Sequence, residues 1–113
     1  MLKNEGTTMS ALTIDLSSVS GPVYSGRVRG EALREKYALD AKEDGVDAIN
    51  VIIPDNAYTI SSSFFLGLFG PSIQKCGSVD SFERKFHFKA PDFLKPIIHA
   101  HAALAVQSRN LFN

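Results

Sequence analysis

Three consecutive serines, Ser61-Ser62-Ser63, stand directly before a strongly apolar segment running from Phe64 to Phe69. Two kinds of chemistry use serine in that place. As a helix cap, the hydroxyl of Ser62 or Ser63 would accept a hydrogen bond from a free amide of the first turn, contributing ~1 kcal/mol. As a phosphoacceptor, it would carry about two negative charges, favoured by the helix dipole and the same amides. Ser62 and Ser63 are the candidate phosphoacceptors, with Ser61 and Phe64 beside them as candidate partner contacts. Arg27 and Arg29 lie between Gly26 and Gly30 at a second predicted helix start. Two guanidiniums over exposed amides can hold an anion or a nucleotide, or can simply be solvated. The glycine spacing matches neither a P-loop nor a dinucleotide fingerprint.

The remaining reactive residue types point away from catalysis. His99 and His101 are two apart on a predicted helix, so they diverge by roughly 200° and cannot share a metal. They and His87 are expected at the surface. Cys76, the one cysteine, follows an apolar run and is expected to pack, and Glu43-Asp44 is expected to be solvated in a loop. No catalytic residue, metal site or cofactor is predicted, and no enzymatic activity is expected.

Composition sets the frame for these candidates. The 113 residues are one domain's worth, with 44% hydrophobic and 21% charged residues, as in ordinary globular chains. Lysine plus arginine equals aspartate plus glutamate, twelve each, which argues against nucleic acid as main partner. No apolar run approaches the ~18 residues of a membrane span, and the polar first ten residues lack the apolar core of a secretory signal. The expected setting is cytoplasmic. Residues 1–10 are expected to be a flexible leader, with Met9 an alternative start, residues 11–108 the domain and residues 109–113 a tail.

Periodicity predicts the elements that position the candidates. Ala11 to Leu16 alternates as a half-buried strand, and Val23-Tyr24 suits a returning strand after Gly21-Pro22, giving a hairpin. Ser25 is the expected cap of a helix reaching about Leu39, with Val28, Ala32, Leu33 and Tyr37 inward. Asp40 to Asp47 reads as a loop. Ala48 to Ile53 reads as a strand buried on both faces. Phe65, Leu66 and Phe69 are expected in the core of a second helix that Pro71 kinks or interrupts. Phe82 to Lys89 alternates as an edge strand with its charged side in water. Asp92 to Gln107 reads as the last helix. The order ββαβαβα predicts an α/β fold with a mixed sheet, an opening hairpin and helices packed on the sheet.

Val23-Tyr24-Ser25-Gly26-Arg27-Val28-Arg29-Gly30-Glu31-Ala32, followed by Ile60 to Gly70, resembles the prokaryotic STAS-like domain family of unknown function, a distant relative of anti-sigma-factor antagonists. The resemblance spans roughly Ala11 to Val106. It implies a small STAS-like domain that acts as a regulatory protein-interaction module. In the antagonists an aspartate-serine-serine-glycine motif opens a helix, and a partner kinase phosphorylates its second serine. Ser61 stands at the aspartate, Ser62 and Ser63 at the serines, and Phe64 at the glycine. The partner so implied is a histidine-kinase-like ATPase. The alternative is a small-anion or nucleotide sensor using Arg27 and Arg29.

Overall fold

A computed structural model describes residues 10–19 and 23–111. The expected leader and the Gly21-Pro22 turn therefore lie outside the described residues, apart from Ser10. Five strands and five α-helices follow one another among the described residues. The strands are β1 (Ala11–Asp15), β2 (Val23–Tyr24), β3 (Ala48–Ile52), β4 (Thr59–Ile60) and β5 (Phe86–Lys89). The helices are α1 (Arg27–Lys36), α2 (Leu39–Lys42), α3 (Ser62–Cys76), α4 (Val79–Lys85) and α5 (Lys95–Leu111).

The fold class is α/β, as expected, but the strand pairing is not. β1, β3 and β5 form one parallel sheet with β3 in the centre, and β2 and β4 form a separate parallel ribbon. There is no opening hairpin and no mixed sheet among the described residues. After β1 the chain enters a 3₁₀ turn, Leu16–Ser18, in which Asp15 accepts from the Ser17 amide. Leu16 is fully buried there, and this turn leads the chain away from its own strand. The two hydrogen bonds from Ser17 hold the Asp15 carboxyl below the usual carboxylate range.

A second correction concerns residues 79–85. They form helix α4, and only Phe86–Lys89 is strand. Ser78 caps α4 by accepting from the Ser81 amide, Asp80 lies in its first turn, and Arg84 and Lys85 lie in its last. That distribution suits the helix dipole. Phe82 and Phe86 are four apart, a helical spacing that also satisfies a period of two, and their rings stack at 4.6 Å. β5 is an edge of its sheet and the Glu83 and Lys89 side chains are exposed, in keeping with the expected surface position.

The core lies between one face of the three-stranded sheet and the helices. Ile14, Ile49, Val51 and Phe86 point into it from the strands, and Phe65, Leu68, Phe69 and Ile73 meet them from α3. Phe69 contacts the rings of Phe65, Phe82, Phe86 and Phe88 at centroid distances of 5.1–5.9 Å. Leu66, expected in this core, is half-buried on the flank of α3. β3 is fully buried on one face only, since on the other Ala48 is buried but Asn50 and Ile52 are half-exposed.

The most extensive helix contact joins α1 to α3. A Cβ on Gly30 would clash with the Phe64 carbonyl and lie 2.9 Å from the Leu68 nitrogen. A Cβ on Gly67 would clash with the Arg27 carbonyl and lie 3.1 Å from the Glu31 nitrogen. The two backbones therefore touch because both residues lack side chains. This contact rotates α1 from its expected face, so that Gly30, Leu33 and Arg34 are buried while Val28 and Ala32 are exposed. α3 continues through Pro71 to Cys76. Apart from its chain neighbours and its own helix backbone, Gly70 has nothing within 4 Å of where a Cβ would stand. Gly67→Ala should therefore destabilise the fold by about 1–3 kcal/mol through overpacking, whereas Gly70→Ala should change it by less than about 1 kcal/mol, the helix propensity gained being offset by the Pro71 ring against a new Cβ. Chemical denaturation reads both; equal shifts in the same direction would contradict the packing described.

Candidate functional site

The parallel β2–β4 ribbon sends α1 and α3 off from the same end. Val23 pairs with Thr59 and Tyr24 with Ile60, and the Ser61 amide donates to the Tyr24 carbonyl at 2.8 Å. Both helices thus begin at the carboxyl end of the ribbon, and the glycine contact keeps them side by side. The serines and the arginines singled out from the sequence are brought to one end of the fold by this arrangement. Carboxyl ends of parallel strands are where ligands and partners usually approach an α/β sheet.

The two starts are built differently. α3 is capped by Ser61, whose hydroxyl accepts from the Phe64 amide at 3.1 Å. The cap is thus the first serine of the run, not Ser62 or Ser63 as expected, because the helix begins one residue earlier. Ser62 is half-buried and Ser63 is exposed in the first turn. α1 has Gly26 at its cap position with φ of +92°, a conformation suited to glycine, and no side chain caps it. Ser25, the expected cap, precedes that position and is exposed.

Phe64, expected as a partner contact, is fully buried and packs on the Tyr24 ring at 5.7 Å. Residue 64 follows the cap by three positions, on the side of α3 that meets α1, so its ring goes into the core. Tyr24 is itself buried, donating to the Leu16 carbonyl at 3.1 Å, and burial pushes its phenol above the usual range. Arg27 is paired with Glu31 at 3.2 Å along the exposed side of α1. Arg29 donates to the Val23 carbonyl at 3.3 Å. Around these polar groups Val23, Val28 and Tyr58 are exposed, Val28 and Tyr58 by about three-quarters.

His101 supports this end from α5. Its Nε2 lies 2.8 Å from the Ile60 carbonyl, and a carbonyl only accepts, so Nε2 carries the hydrogen and donates. Its ring packs on Phe65 at 5.6 Å. The expectation of a purely surface histidine fails here, because the chain places a backbone acceptor within reach of α5. His87 and His99 are exposed, next to the Arg84 carbonyl and Glu83 respectively. Among the described residues, no group of three His, Cys, Asp or Glu side chains could hold a metal ion. Cys76 is half-buried at the end of α3, and burial pushes its thiol up, which disfavours the reactive thiolate.

Sequence reasoning missed the polar cluster behind the site. Arg34 is 6% exposed, Glu43 3% and Ser72 0%. The Arg34 guanidinium donates to the Leu68 carbonyl at 2.9 Å, to Ser72 Oγ at 2.8 Å and to Glu43 at 3.1 Å. It also pairs with Asp40 at 2.8 Å. Ser72 donates to Glu43 at 2.6 Å, and Lys75 pairs with the other Glu43 oxygen at 2.7 Å. Glu43 is therefore buried and paired, against the expectation of a solvated loop acid. The hydrogen bond to Glu43 holds the Lys75 ammonium above the usual lysine range. A folded-state value so raised supplies stability that is complete at neutral pH and is lost as pH rises through it. The sequence signal was faint: one serine inside an apolar helix, and one arginine a turn after Gly30.

No family model, curated protein or solved structure matches the chain. No helix among the described residues is long and apolar enough to cross a membrane.

The division of labour among the serines is measurable. Ser61→Ala should cost ~1 kcal/mol in urea denaturation through loss of the cap, whereas Ser63→Ala should stay within about 0.5 kcal/mol of the parent. A larger cost at Ser63 than at Ser61 would contradict the capping geometry.

Proposed function

We propose that this chain is a non-enzymatic regulatory module of the STAS-like kind, presenting the paired starts of α1 and α3 to a protein partner. The observation that supports this reading is the placing of an exposed Ser63 beside a second helix start that carries exposed Val28 and the arginines. Exposed apolar side chains within a polar surround are what a protein–protein contact uses. A regulatory phosphate on Ser63 would lie at the positive end of α3, near the positive end of α1, and would put about two negative charges on the contact surface. The capping hydroxyl belongs to Ser61, so Ser63 can be modified without dismantling the helix start. The resemblance to anti-sigma-factor antagonists supplies the class of partner, a kinase-like ATPase.

The anion- or nucleotide-sensor reading is less favoured by the geometry. Arg27 is engaged by Glu31 and Arg29 by the Val23 carbonyl, so a ligand would have to displace both contacts.

The test is affinity capture from the native cell with the parent chain, Ser63→Asp and Ser63→Ala as baits, followed by titration of the captured partner. Ser63→Asp should weaken or strengthen partner binding by about tenfold or more, corresponding to ~1.4 kcal/mol, while Ser63→Ala should bind like the parent. The partner incubated with ATP should place phosphate on the peptide containing Ser63. Unchanged binding by Ser62→Asp and Ser63→Asp, with no phosphate on either serine, would end this reading.

A further inference from the structure

The three-stranded sheet has a second face whose described residues, apart from buried Ala48 at the start of β3, are half-buried or exposed. Ile14, Val51 and Phe86 point to the helices, so the alternate residues point the other way: Thr13 and Asp15 on β1, Asn50 and Ile52 on β3, His87 and Lys89 on β5. Thr13, Asn50, Ile52, His87 and Lys89 line one shallow hollow on that face. All are half-buried or exposed. A wholly parallel sheet is ordinarily covered on both faces, so this one has a face to fill.

The order of residues across the face says what can fill it. The register gives two rows: Thr13, Asn50, His87, and next to it Asp15, Ile52, Lys89. The second row reads negative, apolar, positive, with its sign reversing about the central strand. A two-fold axis running along β3 exchanges the two edges of the sheet while keeping the rows in register. It would set Asp15 of one copy over Lys89 of the other, twice, and Ile52 over Ile52. The first row answers the same operation. Asn50 would meet Asn50, whose amides can donate and accept reciprocally, and Thr13 would meet His87. His87 Nε2 donates to the Arg84 carbonyl at 2.8 Å, so in the neutral ring Nδ1 is left as an acceptor for the threonine hydroxyl. Strand directions stay aligned, as sheet-on-sheet packing prefers.

We propose that this face is the contact surface for a second copy of the chain, forming a two-fold, face-to-face dimer. The row from Asp15 to Lys89 is complementary to itself and would mismatch an all-acidic or all-basic partner. Three strands of four or five residues cover about 10–14 Å by 13–17 Å, which is less than the ~800 Å² per side of a standard stable interface. The dimer is therefore weak and reversible. The serine-bearing end belongs to the separate β2–β4 ribbon, so this proposal is independent of the reading above.

Sedimentation equilibrium tests it, with circular dichroism to show that each variant is folded. The parent chain should move from monomer towards dimer mass as concentration rises to ~1 mM. Lys89→Glu makes the charged row acidic at both edges and Asp15→Lys makes it basic at both, so each alone should self-associate about tenfold more weakly. An equimolar mixture of the two should recover association, because each row then meets its opposite. A parent chain that stays monomeric up to ~1 mM would overturn the proposal. So would a dimer indifferent to both charge changes but abolished by Leu104→Lys, since Ile97 and Leu104 form an exposed apolar stripe on α5.

Discussion

The Arg34 guanidinium is the point on which the arrangement of helices turns. It is buried, it cannot shed its charge, and a buried charge without partners would cost several kcal/mol. The chain must therefore bring acceptors to it from three places. α3 contributes the Leu68 carbonyl and Ser72, the 3₁₀ turn after α2 contributes Glu43, and α2 contributes Asp40 at the solvent side. Lys75 and Ser72 complete the coordination of Glu43. Replacing such a cluster with apolar residues is often neutral for stability, so its worth lies in specifying one geometry. An α1 that slid or rotated on α3 would leave Arg34 or Glu43 unmatched.

That requirement explains local features that are otherwise costly. Ala38 has φ of +52°, a left-handed conformation that costs a non-glycine residue roughly 1–2 kcal/mol. It ends α1 abruptly and starts α2, whose Ala41 and Lys42 amides return to the Ala38 carbonyl. The reversal carries Asp40 and Glu43 back alongside Arg34. Gly30 and Gly67 set the distance between the helix axes, and Arg34, one turn after Gly30, sets their register. With distance and register fixed, the starts of α1 and α3 sit together over the β2–β4 ribbon. The surface proposed for partner binding is thus a consequence of packing some distance behind it.

What was legible in the sequence followed the strength of local patterns. β1 was readable because Leu12 and Ile14 repeat at the strand period, β3 because Ala48 to Ile53 is a continuous, largely β-branched apolar run, and α3 because a serine run precedes a dense apolar helix. α4 was misread because Phe82, Phe86 and Phe88 satisfy the strand period while two of them also satisfy a helical one. The Ser78 cap and the acid-to-base order of Asp80 to Lys85 were the signals that decided it. The hairpin was inferred from adjacency in sequence, but two-residue strands such as β2 are placed by long-range pairing, here with β4. The Arg34 cluster was not readable, because its members are spread over forty-two positions, from Arg34 to Lys75, and each charged member alone looks like a surface residue. Of the candidate site, the convergence of the serine and arginine segments depends on that same long-range packing. Their separate roles as helix starts were visible locally.

The central claim is that Arg34 and Glu43 act as one unit holding α1 to α3, and a double-mutant cycle measures that directly. Urea denaturation of Arg34→Ala, Glu43→Ala and the double variant would give the coupling. Each single change should cost up to about 3–5 kcal/mol, because the remaining buried charge loses its buried counter-charge, Glu43 keeping only Ser72 and Lys75 and Arg34 only Asp40, Ser72 and the Leu68 carbonyl. The double change should cost no more than about as much as one of them, a coupling as large as a single cost and so at or above the upper end of the ~0.5–3 kcal/mol seen for contacting residues. Single costs below ~1 kcal/mol, or additive costs in the double variant, would contradict the account.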